Sequence, residues 1–215
     1  MQRKNVCTLC QSKPLAVGFL CADCDEAMAW LPPPFNVECA NGRVLEVQAA
    51  GYYVGVLAQA IGQLKDAENL QTIPLLLQAL GKLAQIIPDE AVILPLPTTH
   101  ARLVARGFYP VGLLADYLSL LTDLPLYTGV ERIQDGAHQR ELDRSARLTN
   151  VQNAFALTTL PSASTVVLLD DVATTGATLQ AVAETLWQAD SSLSILATCV
   201  AHGSPQFDRR ANAAL

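Results

Sequence analysis

Thr165-Val166-Val167-Leu168-Leu169-Asp170-Asp171-Val172-Ala173-Thr174-Thr175-Gly176-Ala177-Thr178-Leu179 decides how this chain is read. Its opening run, Thr165 to Leu169, is β-branched or apolar throughout. That suits a strand buried on both faces of a sheet. Two adjacent carboxylates, Asp170 and Asp171, then arrive at the carboxyl edge, where open α/β folds bind ligands. The following stretch, Thr174 to Thr178, is small and hydroxyl-rich and opens a helix read over 177–189. Backbone N–H groups at a helix N-terminus, threonine hydroxyls and a glycine permitting close approach make a phosphate cradle. Two acids beside such a cradle would repel the phosphate. They make sense if they bind another part of the same ligand, such as vicinal sugar hydroxyls, with a divalent cation nearby.

Outward from this stretch, apolar strands alternate with helices. Residues 91–94 read as a buried strand stopped by Pro95 and Pro97, 193–200 as another, and 44–53 as a third. Helical spacing of apolar residues marks 54–64, with Lys65 following, 73–87 ending before Pro88, and 111–121. In the last of these Leu113, Leu114, Tyr117, Leu118 and Leu121 are expected to face inward. The pattern indicates an α/β fold with a parallel sheet flanked by helices. Leu31-Pro32-Pro33-Pro34-Phe35 cannot continue a helix or strand and reads as a stiff linker, dividing 1–35 from 36–215. Residues 131–150 are polar and charged without an apolar period, and residues from about Gly203 carry little pattern.

An apolar fraction of 51% over 215 residues excludes wholesale disorder. No apolar run approaches the roughly 18 residues of a membrane span, and no apolar stretch follows the basic start Arg3-Lys4 as a secretory signal would require. A reducing cytoplasm is the expected compartment. The net charge of −6 argues against a broad, non-specific nucleic-acid binder. It still leaves room for a local cationic groove, because Arg102, Arg106, Arg132, Arg140, Arg144 and Arg147 are six of the fourteen basic residues.

Four of the six cysteines form two CxxC pairs, Cys7/Cys10 and Cys21/Cys24, ten residues apart. Two such turns supply the four sulfurs of a structural, tetrahedral Zn²⁺ site with no open position for water. The short separation requires a tight hairpin, which Pro14 and Gly18 suit. Redox CxxC motifs and disulfides are the competing readings; position in the chain disfavours the first and compartment the second. Cys199, in the run 193–200, is most simply a core residue.

The Asp170–Thr178 stretch resembles the phosphoribosyl-pyrophosphate signature of type I phosphoribosyltransferases. The resemblance implies that Asp170 and Asp171 hold the ribose 2′- and 3′-hydroxyls and, if the protein is an active enzyme, are its catalytic residues by stabilising the positive ribose, with Mg²⁺ bound alongside the ligand. It implies too that Thr174, Thr175, Gly176, Ala177 and Thr178 surround the 5′-phosphate. Purine-salvage members carry an aspartate where this chain has Thr174, which counts against a hypoxanthine or guanine acceptor. In the superfamily a pyrophosphate loop follows the strand ending here at Leu94; Arg102 and Arg106 lie just behind it and suit that role, the alternative being a solvated helix face.

A narrower resemblance covers nearly the whole chain. The four-cysteine start, the segment around Lys65, Pro95-Leu96-Pro97, Arg106-Gly107-Phe108, Gln139-Arg140-Glu141-Leu142, Arg147, Asn150, Ala154-Phe155 and the Asp170–Thr178 loop occur in the order seen in the ComF family. That family is competence-related and phosphoribosyltransferase-like. Its members commonly have Asn-Gln where this chain has Tyr109-Pro110. The resemblance implies a phosphoribosyl pyrophosphate or ribose 5-phosphate ligand and a role linked to DNA uptake. The competing reading is a non-catalytic accessory factor whose partners are single-stranded DNA or proteins of uptake and recombination; the acidic balance and 6% aromatic content count against it. Segment 131–150 would be a closing loop on the first reading and a charged surface hairpin on the bland one. His138 and His100 are candidate acid–base groups near these loops, more ordinarily without such a role, and His202 is weighed the same way.

Overall fold

The computed structural model describes residues 6–65, 73–133 and 154–203. A five-stranded sheet organises them. Its strands are β1 (Phe35–Glu38), β2 (Val44–Tyr52), β3 (Val92–Pro95), β6 (Thr165–Ala173) and β7 (Ser194–His202), in the order β1-β2-β7-β6-β3. The β2/β7, β7/β6 and β6/β3 pairs are parallel, whereas β1 runs antiparallel on the outer edge of β2. A separate antiparallel pair joins β4 (Val130–Arg132) to β5 (Phe155–Leu157).

Helices cover both faces, for a reason written in β6. Alternate residues of a strand point to opposite sides. Val167 and Leu169 therefore enter one apolar cluster with α2 (Gly55–Lys65), α3 (Ile73–Ala84) and α5 (Pro110–Thr122). Val166 and Leu168 enter a second cluster with α6 (Ala177–Ala189) and Phe155. The helices answer with stripes at i, i+3, i+4 and i+7: Leu57, Ala60, Ile61 and Leu64 on α2 are all buried. On α5 the stripe is Val111, Leu114, Ala115 and Leu118. Leu121, expected to face inward, is instead 51% exposed, in the last turn of the helix after Leu118, its last buried residue.

The strands run further than their apolar composition suggests. β6 continues through both aspartates to Ala173 because β7 supplies ladder partners to the end: Asp170 lies opposite Cys199, and Ala173 opposite His202. β1 falls just after the proline run, and Leu31 N–H to Ala50 O at 2.9 Å ties that run to β2. A short helix α4 (His100–Arg106) occupies what reads as a loop in sequence. It has no buried residue, hence no apolar stripe; Thr99 caps its start and Gly107, at φ 79, ends it.

The N-terminal segment folds as a tight hairpin, with bridges Val6 to Pro14 and Val17 to Leu20 and a turn at Gly18 (φ 54), followed by α1 (Ala22–Ala27). Cys7, Leu20 and Cys21 are buried in the same apolar cluster as α2 and α3. Polar contacts fix the docking. The Asp25 carboxylate accepts from Trp30 Nε1 at 2.7 Å, Gln78 Nε2 at 3.1 Å and Lys82 Nζ at 3.1 Å, so one acid of α1 joins Trp30 to two side chains of α3.

Candidate functional site

The acid pair and the loop after it lie at the carboxyl edge of the sheet, between two cavities. The larger is a cleft of about 850 Å³. It is lined by Lys65, the turn Leu96-Pro97-Thr98, Arg102 and Arg106 of α4, Tyr109, Arg132, Asp170, Asp171 and Thr178, among others. The smaller is a niche of about 50 Å³ bounded by Asp170, Val172 to Thr178 and Leu179. Asp170 and Thr178 border both. A ligand with a compact anion in the niche can therefore continue past Asp170 into the cleft.

Strand alternation gives the two acids different surroundings. Asp171 falls on the face that carries α2, and its carboxylate meets Lys65 Nζ at 2.8 Å, with the acid only 8% exposed. Asp170 falls on the other face. It accepts from the Asp171 N–H at 2.8 Å. Burial, and then the charge of Asp171, push its carboxyl up to about 7, against the pull of that N–H, Lys65 and Arg132. Among the described residues lining the cleft, the basic groups Lys65, Arg102, Arg106 and Arg132 outnumber the two acids. The cleft is locally cationic in an acidic protein.

The niche is a helix N-terminus in form. Gly176 is the N-cap of α6 at φ 74, and the Gln180 N–H donates to its carbonyl at 2.8 Å. Thr175 Oγ1 accepts from Ala177 N–H at 3.4 Å. The sequence reads Gly176 as room for a ligand. Its backbone supplies a more specific reason: φ lies in the left-handed region, and a Cβ there would come within 2.6 Å of Val37 Cγ2 and 3.3 Å of Phe35 Cε2. The loop is thus seated on β1. His202, on the far side, stacks on Phe35 with ring centroids 4.0 Å apart. Burial lowers its pKa below the ordinary imidazole value, with a Thr174 backbone contact opposing.

Arg102 and Arg106 are one turn apart on the exposed helix α4 and both border the cleft; the spacing i, i+4 puts them on one face. His100, at the start of that helix, is exposed. Tyr109 and Pro110, where the chain departs from the Asn-Gln of its resemblance, also line the cleft. The Tyr109 hydroxyl donates to the Leu96 carbonyl, and its ring lies over Gly112, where a Cβ would strike it. Its phenol pKa is raised by burial and by the charges of Asp170 and Asp171. Sequence reasoning counts the segment around Lys65 in the family pattern but does not name Lys65 as a site residue; its other signal is a basic residue closing the last turn of α2. Arg132 reaches the cleft from β4 with its guanidinium 5.4 Å from the Phe155 ring centre. Residues 134–150 of the candidate closing segment, including His138, Arg140, Arg144 and Arg147, lie outside the described residues.

Apart from this edge, Cys7, Cys10, Cys21 and Cys24 bring their sulfurs within 4.8 Å of one another. Cys10 and Cys21 Sγ are 3.9 Å apart, close to the edge of about 3.8 Å that Zn–S bonds of ~2.3 Å give a tetrahedron. The cluster fits a four-thiolate metal site. No helix among the described residues is long and apolar enough to cross a membrane.

The model of the phosphoribosyl transferase domain matches residues 66–214. Competence protein F of Haemophilus influenzae (strain ATCC 51907 / DSM 11121 / KW20 / Rd) is 27% identical over 200 residues, which cover 86% of this chain and 85% of that protein. The domain match, which spans more than half of the residues, shows that the chain belongs to the phosphoribosyl transferase domain family, and the likeness to Competence protein F makes it a ComF-type member with a four-cysteine cluster before the domain.

Proposed function

We propose that this protein binds a 5-phosphoribosyl 1-diphosphate ligand, with Mg²⁺, and transfers the phosphoribosyl group to an acceptor nucleophile, in a role linked to competence. The continuity of the niche with the cationic cleft through Asp170 and Thr178 carries the reading. The 5′-phosphate takes the niche, against the N–H group of Thr178 and the hydroxyls of Thr174, Thr175 and Thr178, with the Ala177 N–H exchanging its long contact to Thr175 Oγ1 for the ligand. The ribose hydroxyls face Asp170 and Asp171. The diphosphate extends toward Arg102 and Arg106, whose planar guanidinium groups pair with phosphate oxygens.

In the transfer, the bond from the anomeric carbon to the diphosphate oxygen breaks, and its electron pair leaves with the diphosphate. The acceptor's lone pair forms the new bond to that carbon. Positive charge grows on the ribose as the bond opens, and the acids facing the ribose stabilise it, while the arginines balance the leaving anion. Mg²⁺ takes hard oxygen ligands and usually binds through one or two carboxylates together with substrate phosphates. Asp170 fits that demand better than Asp171, whose carboxylate already carries the Lys65 ammonium, and the ion would supply charge neutralisation at the leaving group. The four-cysteine cluster would hold Zn²⁺ in a purely structural role, since its sulfurs complete the tetrahedron.

Calorimetric titration with phosphoribosyl pyrophosphate and with ribose 5-phosphate, each with Mg²⁺, tests the reading on the wild type and on Asp170→Asn/Asp171→Asn. Binding to the wild type that weakens at least tenfold in the double variant is expected. A wild type that binds neither ligand, or a variant that binds as well, overturns it.

A further inference from the structure

Lys65 is placed where the family resemblance assigns no task. It is the last residue of α2, it borders the large cleft and not the niche, and its ammonium contacts Asp171. If the niche holds the 5′-phosphate and Asp170 the near edge of the ribose, the 1-diphosphate lies in the large cleft, whose lining includes both Asp171 and Lys65. An ammonium has three donors. The contact with Asp171 uses one of them among the described residues.

We propose that Lys65 is a diphosphate-binding residue, aimed by Asp171, that bridges that carboxylate and a phosphate oxygen of the ligand at the same time. This rests on the phosphoribosyl reading above. The arrangement answers a charge conflict in the site. A sugar diphosphate brings several negative charges close to two adjacent carboxylates, and Asp171 is too buried for water to screen it well. A cation fixed on Asp171 removes that repulsion before the ligand arrives and offers the ligand a positive group without new ordering. A lysine suits this better than an arginine, because a compact point charge with rotatable donors serves two oxygens in different directions. Its stem is restrained by a half-buried setting at the end of a helix whose other face is locked in the core, so the head is held in the cleft. Its position at a helix C-terminus also favours a cation.

The test compares ligands that do and do not carry the diphosphate. Kd values for phosphoribosyl pyrophosphate, inorganic diphosphate and ribose 5-phosphate, each with Mg²⁺, are measured on the wild type, Lys65→Met and Lys65→Arg. Expected is a loss of tenfold or more for phosphoribosyl pyrophosphate and diphosphate in Lys65→Met, partial recovery in Lys65→Arg, and ribose 5-phosphate within about twofold throughout. Equal weakening of all three ligands would mean that Lys65 acts only through Asp171 and the fold, and would overturn the proposal. So would an unchanged affinity for phosphoribosyl pyrophosphate. A wild type that binds none of the three defeats the phosphoribosyl reading itself, a different result from either. As a check that needs no variant, acetylation of Lys65 in the wild type is followed by mass spectrometry. Diphosphate protecting Lys65 where ribose 5-phosphate does not supports the assignment, and equal labelling with both ligands overturns it.

Discussion

Replacing Gly176 by alanine should damage the protein through two separable effects, and the structure supplies a control for each. The residue sits at φ 74, where an L-residue pays about 1–2 kcal/mol. Its new Cβ would lie 2.6 Å from Val37 Cγ2, an overlap that a packed core resists at about 1–3 kcal/mol. The sum is roughly 2–5 kcal/mol, or a fall in Tm of about 4–20 °C for a chain of this size, at ~2–4 °C per kcal/mol. Gly42 has nearly the same backbone, φ 77, but nothing within 4 Å of its Cβ position. Gly42→Ala should therefore show the conformational cost alone, about 1–2 kcal/mol. Val37→Ala removes the methyl that the new Cβ would strike, so the double variant Gly176→Ala/Val37→Ala should lose less than the sum of its single variants. Urea denaturation of the four proteins gives the numbers, with ribose 5-phosphate affinity measured on each to follow the niche. If Gly176→Ala and Gly42→Ala cost the same, or if the two changes are additive, the seat of the loop on β1 is not what requires glycine, and the reasoning fails.

Three further outcomes can be checked. Asp170→Asn should stabilise the ligand-free protein at pH 8 while abolishing tight ligand binding. Because folding raises the carboxyl to about 7, the wild type keeps its full stability below the unfolded pKa near 4 and loses it as pH rises toward the folded value. The gain in Tm from the variant should thus be present at pH 8 and vanish near pH 4; a gain independent of pH would contradict the cause assigned to the shift. Asp25→Ala strips three donors on Trp30, Gln78 and Lys82 of their acceptor, and should cost about 3–5 kcal/mol in urea denaturation, as breaking a largely buried ion pair does; a loss under 1 kcal/mol would show that the Asp25 contacts do not hold the N-terminal hairpin in place. Metal analysis should find close to one Zn²⁺ per chain, absent from Cys7→Ser/Cys10→Ser, and chelation should lower Tm. A native preparation free of metal would remove zinc from the account.

What could be read from the chain follows the range of the forces involved. Thr165–Leu169 and 177–189 are plain in sequence because burial on both faces writes a continuous apolar run and an amphipathic helix writes a period. The sequence places the cysteine pairs on one ion because their spacing is local, and the structure brings the four sulfurs together. Helix α4 has no apolar stripe to record it, because none of its residues is buried; its two arginines are legible as phosphate-binding candidates, and both do line the cleft. β1 escapes because four residues after a proline run carry too short an alternation, and its partner β2 decides the matter. Asp170 and Asp171 are found as a pair, yet their unequal environments are not. The Lys65 contact joins residues 106 positions apart, and the reason for Gly176 lies in Val37, a residue of another strand. Pairings of that length leave no local trace.

The order β1-β2-β7-β6-β3 bears on where this protein can be cut. The matched domain begins at residue 66, but hydrogen bonding draws the boundary elsewhere. β2, wholly upstream of that point, pairs with β7 from Val47/Ala197 to Tyr52/His202. An expression fragment trimmed to the matched residues would leave β7 as a bare, largely apolar edge, the kind of surface on which chains stack into aggregates. It would also lack Lys65 and the cushion of Phe35 and Val37 beneath the phosphate loop. The unit to clone is therefore defined by the sheet, and it starts no later than β1.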